Sequence, residues 1–121
     1  MIDARWKMMK IVFGELQACV PERDAEGDFD ELSQLVKVKR EYKEATEAWE
    51  KWIASGSKKD EVDYLEEIVD TMTALATLLW AHTHTRGEGD PDARVMDVIE
   101  MVNLKNALRG YHDFEEEGEK K

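Results

Sequence analysis

The chain has 121 residues, of which 42% are hydrophobic, and its 28 Asp and Glu against 17 Lys and Arg give a formal net charge of −11. This length suits one domain with one modest core, and the charge excludes a binder of the nucleic-acid backbone, which needs a basic face. A single cysteine excludes an internal disulfide, and no stretch has the apolarity of a signal peptide or a membrane span. We therefore expect a soluble cytoplasmic protein.

The first predicted helix covers residues 4–20, where apolar side chains recur every three or four positions until Pro21. Trp6, Val12 and Phe13 lie on its apolar face. We expect Cys19 to be a core residue on this helix rather than a functional thiol. A polar loop, ERDAEGDFD, follows.

Two longer predicted helices follow and are joined by a short turn. The second runs from about residue 30 to residue 54, and the Ser-Gly-Ser of residues 55–57 ends it. Ser57 with Asp60 resembles a capping box and begins the third helix, which continues to about residue 84. Because the turn is short, the two helices should be antiparallel neighbours. The third helix is expected to bury an apolar stripe made of Tyr64, Leu65, Ile68, Met72, Leu75 and Leu79.

A fourth predicted helix begins with Asp90 as the N-cap and Pro91 as its first residue, and it ends near Gly110. Residues 111–121 are predicted to be an acidic, disordered tail. No stretch has the pattern of a strand. We predict an all-α protein with a single domain over residues 1–110. Its fold would be a four-helix bundle around an antiparallel central hairpin, completed by oligomerisation.

The second and third predicted helices repeat one acidic pattern with an offset of 26 residues (67 − 41 = 26). Glu41 and Glu44 in one helix correspond to Glu67 and Asp70 in the other, and each pair is followed by a small alanine. Residues three and seven positions apart share a helix face. If the turn is centred between residues 55 and 56, Glu41 faces Asp70 and Glu44 faces Glu67. Four carboxylates then converge at one height of the hairpin.

Four convergent carboxylates repel one another, and each raises the pKa of the others. A divalent cation removes this conflict, and all-oxygen ligands favour Mg²⁺ or Mn²⁺ over zinc. The alternative is a solvated acidic face, because Glu-x-x-Glu patterns also arise by chance in a chain this acidic. The mirrored placement and the position of Asp70 directly before an apolar run favour a metal site, but spacing alone leaves both interpretations open.

At these residues the chain resembles the all-α nucleoside triphosphate pyrophosphatases, the superfamily of MazG and the dimeric dUTPases. Its signature is E-x-x-E, a variable spacer and E-x-x-D. Here this corresponds to EYKE (Glu41, Glu44), 22 intervening residues and EIVD (Glu67, Asp70). A weaker likeness is KNALRGY in the fourth helix, which is similar to the K-N-x-x-R-G-Y ending of phage-type MazG-like proteins. The residues between the first two glutamates are Tyr-Lys, where members often carry Leu-Gly, and this departure bears on the base pocket.

The resemblance implies Mg²⁺-dependent hydrolysis of a nucleoside triphosphate to the monophosphate and pyrophosphate, with Mn²⁺ as a possible substitute. The implied metal ligands are Glu41, Glu44, Glu67 and Asp70. Either Glu41 or Glu44 would be the catalytic base that activates the attacking water.

The candidate substrate-binding residues are Lys105, Asn106 and Arg109 in the fourth predicted helix. Lys105 and Arg109 are one helical turn apart and offer positive charge to a triphosphate, while Asn106 offers hydrogen bonds to sugar or phosphate. The alternative for the two cations is an ordinary solvated helix end stabilised by the helix dipole.

The sequence also allows two other functions, and it does not determine the number of subunits. A phosphoribosyl-ATP pyrophosphohydrolase shares the acidic motif. A non-catalytic helical protein that binds a partner through its tryptophan-bearing faces would carry its acids only for solubility. We expect a homodimer or homotetramer, because the four tryptophans present more apolar surface than one small bundle covers, and because members of the family assemble in this way. Core or oligomer packing is the expected role of Trp49 and Trp52.

Overall fold

The computed structural model describes residues 16–110, and the regular structure in this range is helical. The range contains α1 (Glu31–Ser55), α2 (Lys58–Thr85) and α3 (Pro91–Leu108). An isolated antiparallel bridge joins Arg23 to Phe29 in the loop before α1. The prediction of an all-α protein is confirmed for the described residues. None of these three helices is long and apolar enough to cross a membrane.

The chain divides into two compact units, which are described separately. One unit spans Glu15–Gly87 and holds α1 and α2, and the other includes α3. Most of the first predicted helix and the predicted tail at residues 111–121 lie outside the described residues. The extent of a single domain over residues 1–110 stays a prediction.

Side-chain caps explain where the three helices begin. Asp30 precedes α1 in an extended conformation, and its carboxylate accepts a hydrogen bond from the N–H three residues further on at 3.1 Å. The Ser57 hydroxyl caps α2 with the same geometry at 3.1 Å, and Asp90 caps α3. Because each cap satisfies an N–H that the helix itself leaves unpaired, these residues confirm the predicted helix starts.

The α1–α2 hairpin turns at Gly56, which has a φ of 65° in the left-handed region that favours glycine. Contacts between the two helices run from the turn to the open end of the hairpin. Near the turn, Trp52 stacks on Tyr64 with ring centroids 5.8 Å apart. At the open end, His82 Nδ1 lies 2.9 Å from the Glu31 carboxylate. The helices are therefore antiparallel, as predicted.

Small and polar side chains fill the seam between α1 and α2. The buried hydrophobic residues among those described are all alanines: Ala45, Ala74 and Ala81. Gln34 is buried, and its Nε2 donates to the Ala74 carbonyl at 3.1 Å while its Oε1 accepts from the Glu22 N–H at 3.0 Å. Short side chains let the helix backbones approach closely, and the buried amide is satisfied at both of its ends.

Residues 16–20 do not form the end of a helix, and the prediction for this stretch is wrong. The Cys19 N–H donates to Thr77 Oγ1 at 2.9 Å, so this backbone donor is bonded to α2 rather than to its own segment. The Cys19 side chain is exposed. The expectation of a core thiol is therefore also wrong, because it depended on a helix that does not reach this residue.

The large apolar side chains of α2 lie largely outside the seam. The predicted buried stripe contains three leucines with exposed fractions of 51%, 48% and 46%, namely Leu65, Leu75 and Leu79. The other members are half-buried, namely Tyr64, Ile68 and Met72. The prediction of a buried stripe is wrong for the leucines, because alanine and threonine side chains occupy the contact with α1.

Candidate metal centre

Four acidic side chains of α1 and α2 converge on one side of the seam. Carboxylate oxygens of Glu41, Glu67 and Asp70 lie within 4.8 Å of one another. Glu44 lies beside them, close enough for its negative charge to raise the pKa of both Glu41 and Glu67. The hairpin thus brings together the four residues that the mirrored motifs indicate, in the predicted register.

Alanines next to the acids allow this convergence. Ala45 and Ala74 are buried, and Ala48 is half-buried. Each follows an acidic residue by one turn of helix or less. A longer side chain at these positions would separate α1 from α2 and move the two pairs of carboxylates apart.

Burial raises the pKa of the Glu41 carboxyl above its ordinary value of 4.5, and the negative charges of Glu44 and Asp70 raise it further, whereas Lys37 lowers it. The pKa of Glu67 is raised as well, first by burial and then by the charges of the same acidic neighbours. The ionised forms of both groups are therefore less favoured than in a solvated glutamate, and a positive charge nearby would offset this.

One oxygen of this cluster has no partner among the described residues. Glu67 Oε2 is shielded from solvent and accepts no hydrogen bond from them. Leaving a buried acceptor unpaired costs about 1–3 kcal/mol, and a cation at this position would satisfy it. The donor set is entirely carboxylate oxygen, which suits Mg²⁺ or Mn²⁺. The residues present therefore fit the metal that the motif resemblance implies.

Two recesses flank the carboxylates on this side of the hairpin. The Lys37 recess, about 190 Å³ in volume, lies towards the open end, and Lys37, Glu41, Asp70 and Thr73 are among the residues lining it. The acidic recess, about 280 Å³, lies towards the turn. It is lined by Ala48, by Lys51 and by six acids, namely Glu44, Glu47, Asp60, Asp63, Glu66 and Glu67. The carboxylate cluster supplies walls to both recesses.

Lys37 did not figure among the predicted site residues. It precedes Glu41 by four residues, and this spacing places two helical residues on one face. The signal was therefore present in the sequence.

The other side of the seam carries an open groove of about 430 Å³. Aromatic and aliphatic side chains dominate its lining, among them Tyr42, Trp49, Tyr64 and Ile68. Trp49 is 44% exposed. The same two helices therefore present an acidic side and an apolar side.

Lys105, Asn106 and Arg109 lie at the C-terminal end of α3. Arg109 is the C-cap, and its N–H donates to the Lys105 carbonyl at 3.1 Å. Lys105 and Arg109 also line an apolar groove of about 380 Å³ on α3. Their role in binding substrate stays a prediction.

The chain matches no protein-family model, no curated protein and no solved structure. Its resemblance to the all-α pyrophosphatases therefore consists of the two acidic motifs and the KNALRGY segment.

Proposed function

We propose that the protein is a Mg²⁺-dependent nucleoside triphosphate pyrophosphohydrolase, which converts its substrate to the monophosphate and pyrophosphate. The observation that carries this proposal is the convergence of Glu41, Glu67 and Asp70, with Glu44 beside them, together with a shielded Glu67 oxygen that has no hydrogen-bond partner among the described residues. The spacing of the two acidic motifs supports the same reading, because it matches a superfamily with this chemistry.

The residues divide the chemical work between them. Glu41, Glu44, Glu67 and Asp70 would hold Mg²⁺, which when bound neutralises and orients phosphate groups. Glu41 or Glu44 accepts a proton from the attacking water as the water oxygen adds to phosphorus and the phosphoanhydride bond to pyrophosphate breaks.

We also propose that copies of the chain associate through the apolar side of the hairpin, as a dimer or tetramer that completes a helical bundle. Trp49 lines the groove on that side and is 44% exposed, and Leu75 and Leu79 of α2 are 48% and 46% exposed. Large exposed apolar surface is typical of protein–protein interfaces.

The decisive test is a panel of ribo- and deoxyribonucleoside triphosphates and phosphoribosyl-ATP, assayed with and without Mg²⁺ for release of pyrophosphate. At least one compound should yield pyrophosphate in a reaction that requires the cation. Conversion of phosphoribosyl-ATP alone would favour the related pyrophosphohydrolase. Release of inorganic phosphate instead, or no turnover of any compound, would contradict the proposal.

Thermal melts test the metal site independently of turnover. A cation that binds only the folded state raises the melting temperature by mass action, so Mg²⁺ should stabilise the protein in a concentration-dependent manner. A solvated acidic face predicts almost no change, as does a helical protein that only binds a partner.

A further inference from the structure

The two recesses beside the carboxylates differ in their balance of charge. In the Lys37 recess one ammonium group accompanies two carboxylates, those of Glu41 and Asp70. In the acidic recess six carboxylates surround a single lysine, Lys51.

A divalent cation at the carboxylates changes the sign of only one recess. Counted over the charged side chains that line each recess together with the shared ion, the Lys37 recess changes from −1 to +1. The acidic recess changes from −5 to −3 and stays negative, because most of its acids lie outside the proposed ligand set. The Lys37 recess is therefore the less repulsive of the two for an anionic phosphate chain.

Lys37 is available to bind such a group. It is half-buried, and it makes no hydrogen bond or ion pair with another residue of the described range. Two other lysines of the hairpin are already engaged, since Lys58 pairs with Glu61 at 3.2 Å and Lys59 with Asp63 at 2.9 Å.

Two of the neutral polar side chains that line the Lys37 recess, among the residues that the structure describes, have partners of their own. The Gln34 amide is bonded at both ends, and the Thr73 hydroxyl donates to the Val69 carbonyl at 2.9 Å. Lys37 is the one cation among the described residues of this lining. A volume of about 190 Å³ is also below the range of about 300–1,000 Å³ that encloses a whole drug-sized ligand. The recess therefore suits phosphate groups better than a complete nucleotide.

We propose that the Lys37 recess is the subsite for the phosphate chain of the substrate, and that the Lys37 ammonium donates a hydrogen bond to a phosphate oxygen. This inference rests on the proposed function and deepens it by giving the substrate a direction. Its phosphates point towards the open end of the hairpin and away from the turn at Gly56.

The test compares Lys37→Met with Lys39→Met in the full chain. Lys39 is exposed on the same helix and lines neither recess, so the two variants change the net charge equally. The probes are inorganic pyrophosphate with Mg²⁺, by calorimetry, and steady-state kinetics with a substrate from the panel. Lys37→Met should weaken pyrophosphate binding and raise KM by about tenfold or more, as expected for loss of a hydrogen bond to a charged group.

Two further variants and readouts complete the design. Lys39→Met should stay within about twofold of wild type, and Lys37→Arg should retain most of the affinity because it keeps a charged donor. Equal losses in Lys37→Met and Lys39→Met would show a general charge effect and overturn the subsite.

Metal binding without nucleotide separates a direct role of Lys37 from a role through Glu41. Lys37→Met should bind Mn²⁺ within about threefold of wild type, whereas the loss of pyrophosphate affinity is larger. Parallel losses of Mn²⁺ and pyrophosphate affinity would overturn the subsite. If wild type hydrolyses no triphosphate but binds Mg²⁺-pyrophosphate in a Lys37-dependent manner, the subsite stands and the proposed function fails.

Discussion

The same two helices form both sides of the α1–α2 seam, but one side has unbalanced negative charge and the other has exposed apolar surface. On the acidic side, oxygens of Glu41, Glu67 and Asp70 lie within 4.8 Å of one another and repel. On the apolar side, Tyr42 and Trp49 line an open groove. A bound cation would reduce the repulsion between the carboxylates, and an apolar protein surface would cover the groove. Because small alanine side chains make the contact between the helices, the larger side chains stay at the two sides of the hairpin. One side then suits a cation, and the other suits an apolar protein surface.

The largest expected effect comes from Asp70→Asn, which removes one of the four convergent carboxylates of the acidic side. The substitution keeps the size of the side chain and removes its charge. Turnover should fall by more than about 100-fold, together with Mg²⁺ affinity, because the ion loses an anionic oxygen from a small ligand set. Without metal, the melting temperature should hold or rise, since crowding of like charges is relieved. Pyrophosphate release, calorimetry and thermal melts measure these three quantities.

Glu50→Gln is the matched control for this substitution. Glu50 is an exposed acid of α1 that lines neither recess, so its removal changes the net charge equally and should leave activity and metal binding near wild type. If Asp70→Asn retains near-wild-type Mg²⁺-dependent turnover, the acidic side is an ordinary solvated surface.

The apolar side is tested by Trp49→Ala. Truncating an aromatic side chain at an interface centre costs 2 kcal/mol or more, so self-association should weaken by about 30-fold. Analytical ultracentrifugation over a dilution series measures the change. Leu32→Ala is the control, because Leu32 is 71% exposed and does not line the apolar groove. If the wild-type protein is monomeric at micromolar concentration, the apolar side is not an interface between copies of the chain.

A smaller effect is expected in the pH dependence of stability without metal. The pKa values of Glu41 and Glu67 are raised, chiefly by burial, so the folded state binds protons more readily than the unfolded state. Their penalty is fully present above the raised pKa values, and stability increases as the pH falls through them. With a chelator present, the melting temperature should therefore rise as the pH is lowered from above the raised pKa values towards the ordinary value of 4.5.

Further acidification should reverse this trend. A hydrogen bond from Ser55 lowers the pKa of Asp60. Burial raises the pKa of Glu31, but hydrogen bonds from His82 and Arg86 outweigh it, and the net shift is downward. The stability that these two acids contribute is present above their ordinary pKa values and is lost as the pH falls through the lowered ones.

Magnesium should change the same profile. Because protons compete with the cation for carboxylates, the increase in melting temperature produced by Mg²⁺ should grow with pH. An increment that is independent of pH would show that the cation does not bind at the acids with raised pKa values.

Helix starts and hairpin register were predictable because local rules decide them. Asp30, Ser57 and Asp90 cap helices through hydrogen bonds within their own segments. The short turn then determines which residues of α1 and α2 stand at the same height. The proximity of Glu41 to Asp70 follows from these two features alone.

Burial was less predictable, because helical periodicity identifies side chains that share a face but not what covers that face. Leu75 and Leu79 belong to an apolar stripe, yet Ala74 and Ala81 occupy the seam. An apolar stripe that packs against its own chain and one that packs against another protein have the same spacing in the sequence.

Residues 16–20 escaped prediction for a different reason. Their apolar spacing continues that of the preceding residues, but the Cys19 and Glu22 N–H groups donate to Thr77 and Gln34 on the hairpin. Hydrogen bonds from backbone N–H groups to side chains far away in the sequence produce no periodic pattern, so periodicity could not predict them.

The exposed turn at Gly56 determines where this chain can change length. One extra residue within α1 or α2 would rotate all following residues by about 100° and carry the acids off their shared side. An extra residue at the turn leaves the face of each helix intact, and an offset of one residue between the two helices would amount to about 1.5 Å. Gly56 is exposed, and a Cβ there would have no atom within 4 Å. The turn should therefore tolerate added chain better than either helix does, provided that the two helix ends stay together and Glu41 stays opposite Asp70.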